Sequence, residues 1–223
     1  MLFRFMKKII FCLGLLLLGP ALSADSFAPY QRGDILLGGA VKWAFPGLGT
    51  DWGEVNVDQQ TLDIAHDAKL GTMSAGAELQ ALYFVSAHVA LGASVGTEFF
   101  SQDHASGLEK DVSTHISNYM LAGRVYLTPA SPWRFYLPLA LGVANTHITV
   151  DMEPNVRFKY TGFATHAGLG VEHAVSEHWL VGGEVRYNTN RFHDSRYTTR
   201  HEKVYVYPRT NYISFVVRAA RRF

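Results

Sequence analysis

Apolar and polar residues alternate along most of this chain, which is the pattern of β-strands with one buried face. Between Asp34 and Phe45 the odd-numbered positions are mostly apolar, whereas the even-numbered positions include Lys42 among several small residues. A second run, from Ala77 to Val85, alternates in the same way. The period of two recurs in six further segments, roughly residues 88–102, 114–128, 134–152, 161–176, 179–194 and 211–223. The sequence therefore predicts eight strands.

The connections between the predicted strands alternate between short and long. The short ones lie near residues 86–87, 129–133 and 177–178, and the long polar ones near residues 46–70, 103–113, 153–160 and 195–209. Short turns at one end and long loops at the other are typical of bacterial outer-membrane barrels, whose short turns face the periplasm. A soluble eight-stranded barrel of the lipocalin type also alternates. The alternation therefore leaves two kinds of barrel open.

The positions of the charged residues favour one of these two barrels. The odd-numbered face of each predicted strand is the more apolar, with residues such as Leu91, Leu121 and Leu169. The even-numbered face carries four acids and four bases: Lys42, Glu78, Glu98, Arg124, Glu172, Glu184, Arg186 and Arg218. A membrane barrel presents the apolar face to lipid and turns the charges inward. We therefore predict an all-β, eight-stranded antiparallel transmembrane barrel, whose interior is just wide enough for these charges to pair.

The first 24 residues have the order of a secretory signal peptide. Three basic residues precede an apolar run at residues 9–18, and a small-residue segment follows at residues 21–24. The run is shorter than the roughly 20 residues that a membrane-spanning helix needs. We expect residues 1–24 to be removed, by cleavage after Ser23 or after Ala24. Residues 25–223 would then form the barrel domain in the bacterial outer membrane.

Composition argues against several other classes of protein. The only cysteine, Cys12, lies in the predicted signal, so we expect no disulfide or thiol chemistry. Removing the signal's three positive charges from the formal +1 of the chain leaves −2, which argues against nucleic acid as a partner. The histidines His104, His115, His193 and His201 lie near the loop ends without the spacing of a zinc site. We expect no metal and no cofactor.

The chain resembles a known family. The resemblance covers residues 25–223 in layout, and its specific motif lies in the sixth to eighth predicted strands. The segment from Gly168 to Tyr187 reads GLGVEHAVSEHWLVGGEVRY, and the final strand ends in Phe223. Together they resemble the OmpA-type and opacity-protein-like outer-membrane barrel family. The resemblance implies that Phe223 is part of the signal read by the outer-membrane assembly machinery. Arg221 departs from the apolar or aromatic residue that the family usually has at that position. Family members serve as structural components, adhesins or narrow conduits.

These observations predict an outer-membrane protein with a structural or surface-interaction role and no catalysis. It would act in envelope integrity, or in adhesion through its long extracellular loops. The expected partners are outer-membrane lipids, lipopolysaccharide and the assembly machinery. A host surface ligand is a further expected partner, because the loop at residues 195–209 mixes basic and aromatic residues.

Two alternative functions remain open from the sequence. One is a narrow OmpW-like conduit for small solutes. The other is hydrolysis of an ester in lipid A, because His115 and Ser117 lie two residues apart and therefore share a strand face. With Asn118 they resemble the His-x-Ser-Asn motif of outer-membrane lipid A deacylases. The resemblance implies an acidic residue that orients the histidine, and Glu109 and Asp111 are the candidates for it.

Overall fold

The computed structural model describes residues 28–51, 55–57, 60–62, 74–102, 112–150, 156–192, 195–198, 203–206 and 209–223. The predicted signal, residues 1–24, lies outside these ranges, as do His104, His193 and His201. Within them there are twelve strands: Ile35–Asp51 (β1), Val55–Val57 (β2), Gln60–Leu62 (β3), Ser74–Ser86 (β4), Val89–Gln102 (β5), Val112–Tyr126 (β6), Trp133–Val150 (β7), Val156–Ala174 (β8), Trp179–Phe192 (β9), Ser195–Thr198 (β10), Lys203–Val206 (β11) and Arg209–Arg222 (β12). These ranges contain no helix long and apolar enough to cross a membrane.

Eight of the strands close into one barrel. Their order around the wall is β1, β12, β9, β8, β7, β6, β5 and β4, and each is antiparallel to both neighbours. The pairing of β1 with β12, from Leu36 opposite Arg222 to Asp51 opposite Arg209, joins the first strand to the last. Closure removes the exposed sheet edges that would otherwise invite pairing with another chain. The eight-stranded antiparallel barrel predicted from the alternation is confirmed.

Short connections lie at one end of the barrel and long ones at the other. The short ones span residues 87–88, 127–132 and 175–178, at the end where β1 begins and β12 ends. Two of the long connections carry hairpins, β2 with β3 and β10 with β11. The structure differs from the prediction at Pro46, where a loop was expected and β1 instead continues to Asp51. The pairing with β12 shifts register between Pro46 and Thr50. A proline has no N–H for the ladder, so an irregularity is expected there.

The pleat of the strands separates an apolar outer surface from a charged interior. Leu121 and Leu169 remain 68% and 67% exposed on the outer surface. By contrast, none of the eight charged residues predicted to face inward is more than 5% exposed. A soluble barrel would show the opposite distribution, so this surface is suited to lipid.

Two inward glycines allow neighbouring strands to lie very close together. A Cβ atom at Gly92 would lie 1.9 Å from the backbone oxygen of Ala81, and one at Gly142 would lie 2.0 Å from that of Tyr119. A Cβ atom at the outer position Gly39 would meet nothing nearer than a Leu79 methyl at 3.6 Å. The inner surface of this narrow barrel therefore has no room for a methyl group at the first two positions.

Candidate functional site

Glu184, on β9, lies at the centre of a network of charged side chains that fills the barrel interior. Its carboxylate lies 2.8 Å from Arg218 Nε and 3.5 Å from Arg124 Nη2. Arg186 also donates to it through Nε, and the Tyr136 hydroxyl donates to its Oε1 at 2.7 Å. One buried carboxylate is thus surrounded by three guanidinium groups.

Glu78, on β4, extends the network across the lumen. Arg186 donates to it through both terminal nitrogens, at 2.7 and 3.0 Å. This two-point geometry is the strong form of an arginine–carboxylate pair. Arg218 Nη2 lies 3.4 Å from the same carboxylate and Lys42 Nζ lies 3.8 Å from it. Lys42 in turn donates to Glu98 at 2.6 Å. Arg186 and Lys42 each therefore lie between two carboxylates.

The network extends through Glu172 on β8 toward the end of the barrel that has the short connections, here called the turn end. Arg124 Nη1 lies 3.1 Å from Glu172 Oε2. The amide oxygen of Gln80 accepts from Arg124 and from Arg218, at 2.6 Å each. All eight charged residues predicted for the interior thus lie in one connected set of four acids and four bases. Their opposite charges offset the cost of burying them.

Residues 28–34, which precede β1, enter the turn end of the lumen. The Tyr30 ring is 1% exposed and stacks on Phe84, with centroids 4.0 Å apart. Its hydroxyl donates to Glu172. Burial and the neighbouring carboxylate raise the pKa of Tyr30 above its ordinary value. The guanidinium of Arg134 lies 4.1 Å above the same ring. This segment therefore closes the lumen at the end with the short turns.

Arg222, on β12, holds the same segment at the barrel rim. It donates to the backbone oxygens of Ala28 and Pro29 at 2.8 and 3.0 Å, and it lies 2.8 Å from the Asp34 carboxylate. Arg134 and Arg222 were not among the predicted interior charges, although their even numbers match the inward positions of their strands. Tyr30 was not predicted either, because it lies before the first strand and has no periodic signal.

A small cavity lies beside the network, toward the long connections. Its volume is about 10 Å³, and its lining includes Lys42, His166, Asn118 and Tyr212. That space is about enough for one water molecule. Nearer the long connections, the Phe100 ring lies 5.5 Å from that of Tyr212, further filling the lumen. The described side chains thus leave no wide passage along the barrel axis.

His115 and Ser117, the residues of the deacylase-like motif, face outward on β6. The His115 ring stacks on Phe99 with centroids 4.5 Å apart, and its Nε2 lies 2.5 Å from Thr97 Oγ1. The described outward side chains of β5, β6 and β7 include no carboxylate, and the candidate acids Glu109 and Asp111 lie outside the described residues. Across the described residues, no three His, Cys, Asp or Glu side chains form a metal-binding group.

Phe223, the predicted assembly signal, lies at the turn end with its ring 57% exposed. Its backbone N–H donates to Ile35 and its carbonyl accepts from Ile35, at 2.9 and 3.2 Å. The guanidinium of Arg221 lies 4.8 Å above the Phe223 ring. The last residue is therefore held against the first barrel strand with its ring outside, and its role in assembly stays a prediction.

The closed eight-stranded barrel, apolar outside and charged inside, defines an outer-membrane β-barrel protein of the small type. The chain belongs to the outer membrane protein beta-barrel domain family, whose model matches residues 14–222. This confirms the resemblance to small outer-membrane barrels. No curated protein matches the sequence.

Solved structures of small outer-membrane barrels are similar in fold. OprG of Pseudomonas aeruginosa is 14% identical, with a TM-score of 0.57 over 87% of this chain and 98% of its own. Ail, the attachment invasion locus protein of Yersinia pestis, is 13% identical with a TM-score of 0.48, covering 86% of this chain and all of its own. The neisserial surface protein A is 14% identical with a TM-score of 0.47, covering 86% and 98%. The OprG match, at this low identity, shows a shared fold alone and leaves the role to be argued from the residues.

Proposed function

We propose that the protein is a non-conducting, non-catalytic barrel of the outer membrane that supports the envelope and displays its long connections at the cell surface. The observation that carries this proposal is the buried network of Glu78, Glu184, Arg186 and Arg218. These side chains pair across the lumen, and the Tyr30 segment closes the turn end. A barrel of eight strands has room for side chains and little else.

The contacts of the network argue against a conduit for small solutes. A solute would have to separate Arg186 from both Glu78 and Glu184. Breaking a buried ion pair costs about 3–5 kcal/mol when one partner is left uncompensated. The solute would then meet Tyr30 and Phe84 at the turn end. Passage at a useful rate would require opening both the charge network and the Tyr30 segment.

Lipids, lipopolysaccharide and the assembly machinery remain the proposed partners within the envelope. A host surface ligand is the proposed partner outside it, because the predicted loop at residues 195–209 is rich in basic and aromatic residues. Part of this segment forms the β10–β11 hairpin. Adhesion would then depend on the connections, with the barrel as their rigid support.

Planar-bilayer recording of refolded protein tests the closed lumen. The fold is checked first by heat-modifiable migration on gels and by a β-type circular dichroism spectrum. We expect no discrete conductance steps from the wild-type barrel. Large, stable open channels from correctly folded protein would overturn the proposal of a closed barrel.

Mass spectrometry of lipid A from outer membranes that contain the protein tests the absence of catalysis. We expect the acyl chains of lipid A to be unchanged, because His115 contacts Thr97 and no described carboxylate shares its surface. Loss of an acyl chain that disappears in Ser117→Ala would establish the hydrolase instead.

A further inference from the structure

The outer surface formed by β5, β6, β7 and β8 changes from apolar to polar toward the long connections. One row of residues paired across these strands is apolar and aromatic: Val95, Tyr119, Val143 and Phe163. The next row toward the long connections is Thr97, Ser117, Asn145 and Thr161. Aromatic side chains are enriched where hydrocarbon meets headgroups. From this row to the next, the outer surface of these four strands becomes polar toward the long connections.

Beyond the hydroxyl and amide row lies a row with titratable side chains. It consists of Phe99, His115, His147 and Lys159, again paired in register. The side chains of His147 and Lys159 are exposed. The rings of His115 and His147 lie 6.1 Å apart. No described carboxylate lies within ion-pair distance of Lys159. This surface therefore combines a positive charge with hydrogen-bond donors and has no described acid to neutralise it.

We name the six outward residues His115, Ser117, Asn145, His147, Lys159 and Thr161 the His–Lys patch. Within it, Thr161 donates to Asn145 at 2.7 Å, which leaves the Asn145 amide nitrogen free to donate elsewhere. Arg191 is exposed beside it, paired in register with Phe163. Adjacent strands lie about 4.8 Å apart, so the patch, which covers three strands, spans roughly 10 Å. That width suits a lipid headgroup better than a single ion.

We propose that the His–Lys patch binds the phosphorylated headgroup of a glycolipid of the outer leaflet, the lipid A part of lipopolysaccharide. An ammonium group with neighbouring N–H and O–H donors is the chemistry that recognises a phosphate monoester. The ligand must be a lipid of the same leaflet, because the patch continues directly from an apolar wall. The inference rests on the proposed orientation, with the long connections outside the cell. It assigns His115 and Ser117 to binding lipid A without cleaving it.

Native mass spectrometry of the refolded barrel tests this site. The probes are bisphosphorylated lipid A and the same lipid without its phosphates. We expect the wild-type barrel to retain the bisphosphorylated form preferentially and with an unchanged mass. Lys159→Gln should lower the affinity of the barrel for bisphosphorylated lipid A about fivefold, because one cation near a membrane surface contributes about that factor. Lys159→Gln with His147→Gln should lower it further.

Arg221→Gln is the matched control, because it removes one outward positive charge at the turn end, far from the patch. It should leave lipid A binding unchanged. Equal binding of the dephosphorylated lipid, or an equal loss in Arg221→Gln, would overturn the assignment. Displacement of the lipid by inorganic phosphate would assign the patch to a free anion instead. A barrel that conducts ions yet prefers phosphorylated lipid A would refute the proposed closed barrel and leave this site standing.

Discussion

Removing Glu184 and Arg218 together should be no more damaging than removing Glu184 alone. The network holds four acids and four bases, so Glu184→Gln leaves one excess positive charge and Arg218→Met leaves one excess negative charge. The double variant restores the balance. Gln at position 184 retains an oxygen that accepts from Tyr136, and Met at position 218 keeps most of the side-chain volume. These choices limit the packing loss, so that mainly the charges change.

The contacts predict different costs for the two single variants. Glu184→Gln removes the negative charge that lies against three guanidinium groups. We therefore expect the free energy of unfolding to fall by about 3–5 kcal/mol, the usual cost of breaking a buried pair. Arg218→Met leaves Glu184 paired with Arg124 and Arg186. We therefore expect a smaller loss of unfolding free energy, about 1.5–3 kcal/mol, the value of hydrogen bonds to a charged group. Since the double variant should lose no more than Glu184→Gln alone, the coupling between the two sites should be at least the Arg218→Met loss, about 1.5–3 kcal/mol.

Urea unfolding of the refolded barrels in a single detergent measures these differences. With a denaturant slope of about 2 kcal/mol per molar urea, a loss of 4 kcal/mol lowers the midpoint by about 2 M. The slope must stay constant among the four proteins for the cycle to be valid. If the two single losses add to within about 0.5 kcal/mol, Glu184 and Arg218 are not coupled and the reasoning is wrong.

Two further predictions concern the Tyr30 segment and the close strand approach. Tyr30→Phe should lower the unfolding free energy by about 1.5–3 kcal/mol near neutral pH, because Glu172 loses a buried donor. The folded-state pKa of Tyr30 is raised, so the stability difference between the wild type and Tyr30→Phe should be complete below the ordinary tyrosine pKa of 10.0 and should shrink as pH rises above it. Urea midpoints of both proteins from pH 7 to 11 would measure this change. A difference that does not depend on pH would contradict the burial of the phenol. Gly92→Ala should cost about 1–3 kcal/mol or prevent refolding, because its methyl would meet the Ala81 oxygen, whereas Gly39→Ala should refold normally with a midpoint near that of the wild type. Equal effects at the two glycines would refute the close approach.

The faces of the strands could be predicted because a period of two leaves little freedom. Once Leu121 is assigned to the outside, Arg124 must point inward on the same strand, and both do. Strand number followed from the same pattern. Strand ends were less predictable: β1 extends to Asp51, although a long polar connection was expected from residue 46.

The partners within the lumen could not be predicted from sequence. Register depends on how the sheet closes, so nothing in the sequence shows that Arg186 would pair with Glu78, 108 residues away. The position of the Tyr30 segment could not be predicted either, because the segment is held by single contacts with Phe84, Glu172 and Arg134. His115 and Ser117 resemble a catalytic motif in sequence, but the motif alone could not show that Thr97 contacts the histidine.

Site-directed spin labelling in lipid bilayers tests the central claim most directly, which is that the apolar outer surface faces hydrocarbon. Single cysteines would replace Leu121, Leu141 and Leu169 in protein lacking the predicted signal, which carries the only native cysteine. Ser113, exposed near the long connections, is the control position. Labels at the three leucine positions should collide often with oxygen and rarely with a water-soluble nickel chelate, and the Ser113 label should do the reverse. Frequent collisions with the nickel chelate at the leucine positions would contradict the claim that this surface faces hydrocarbon.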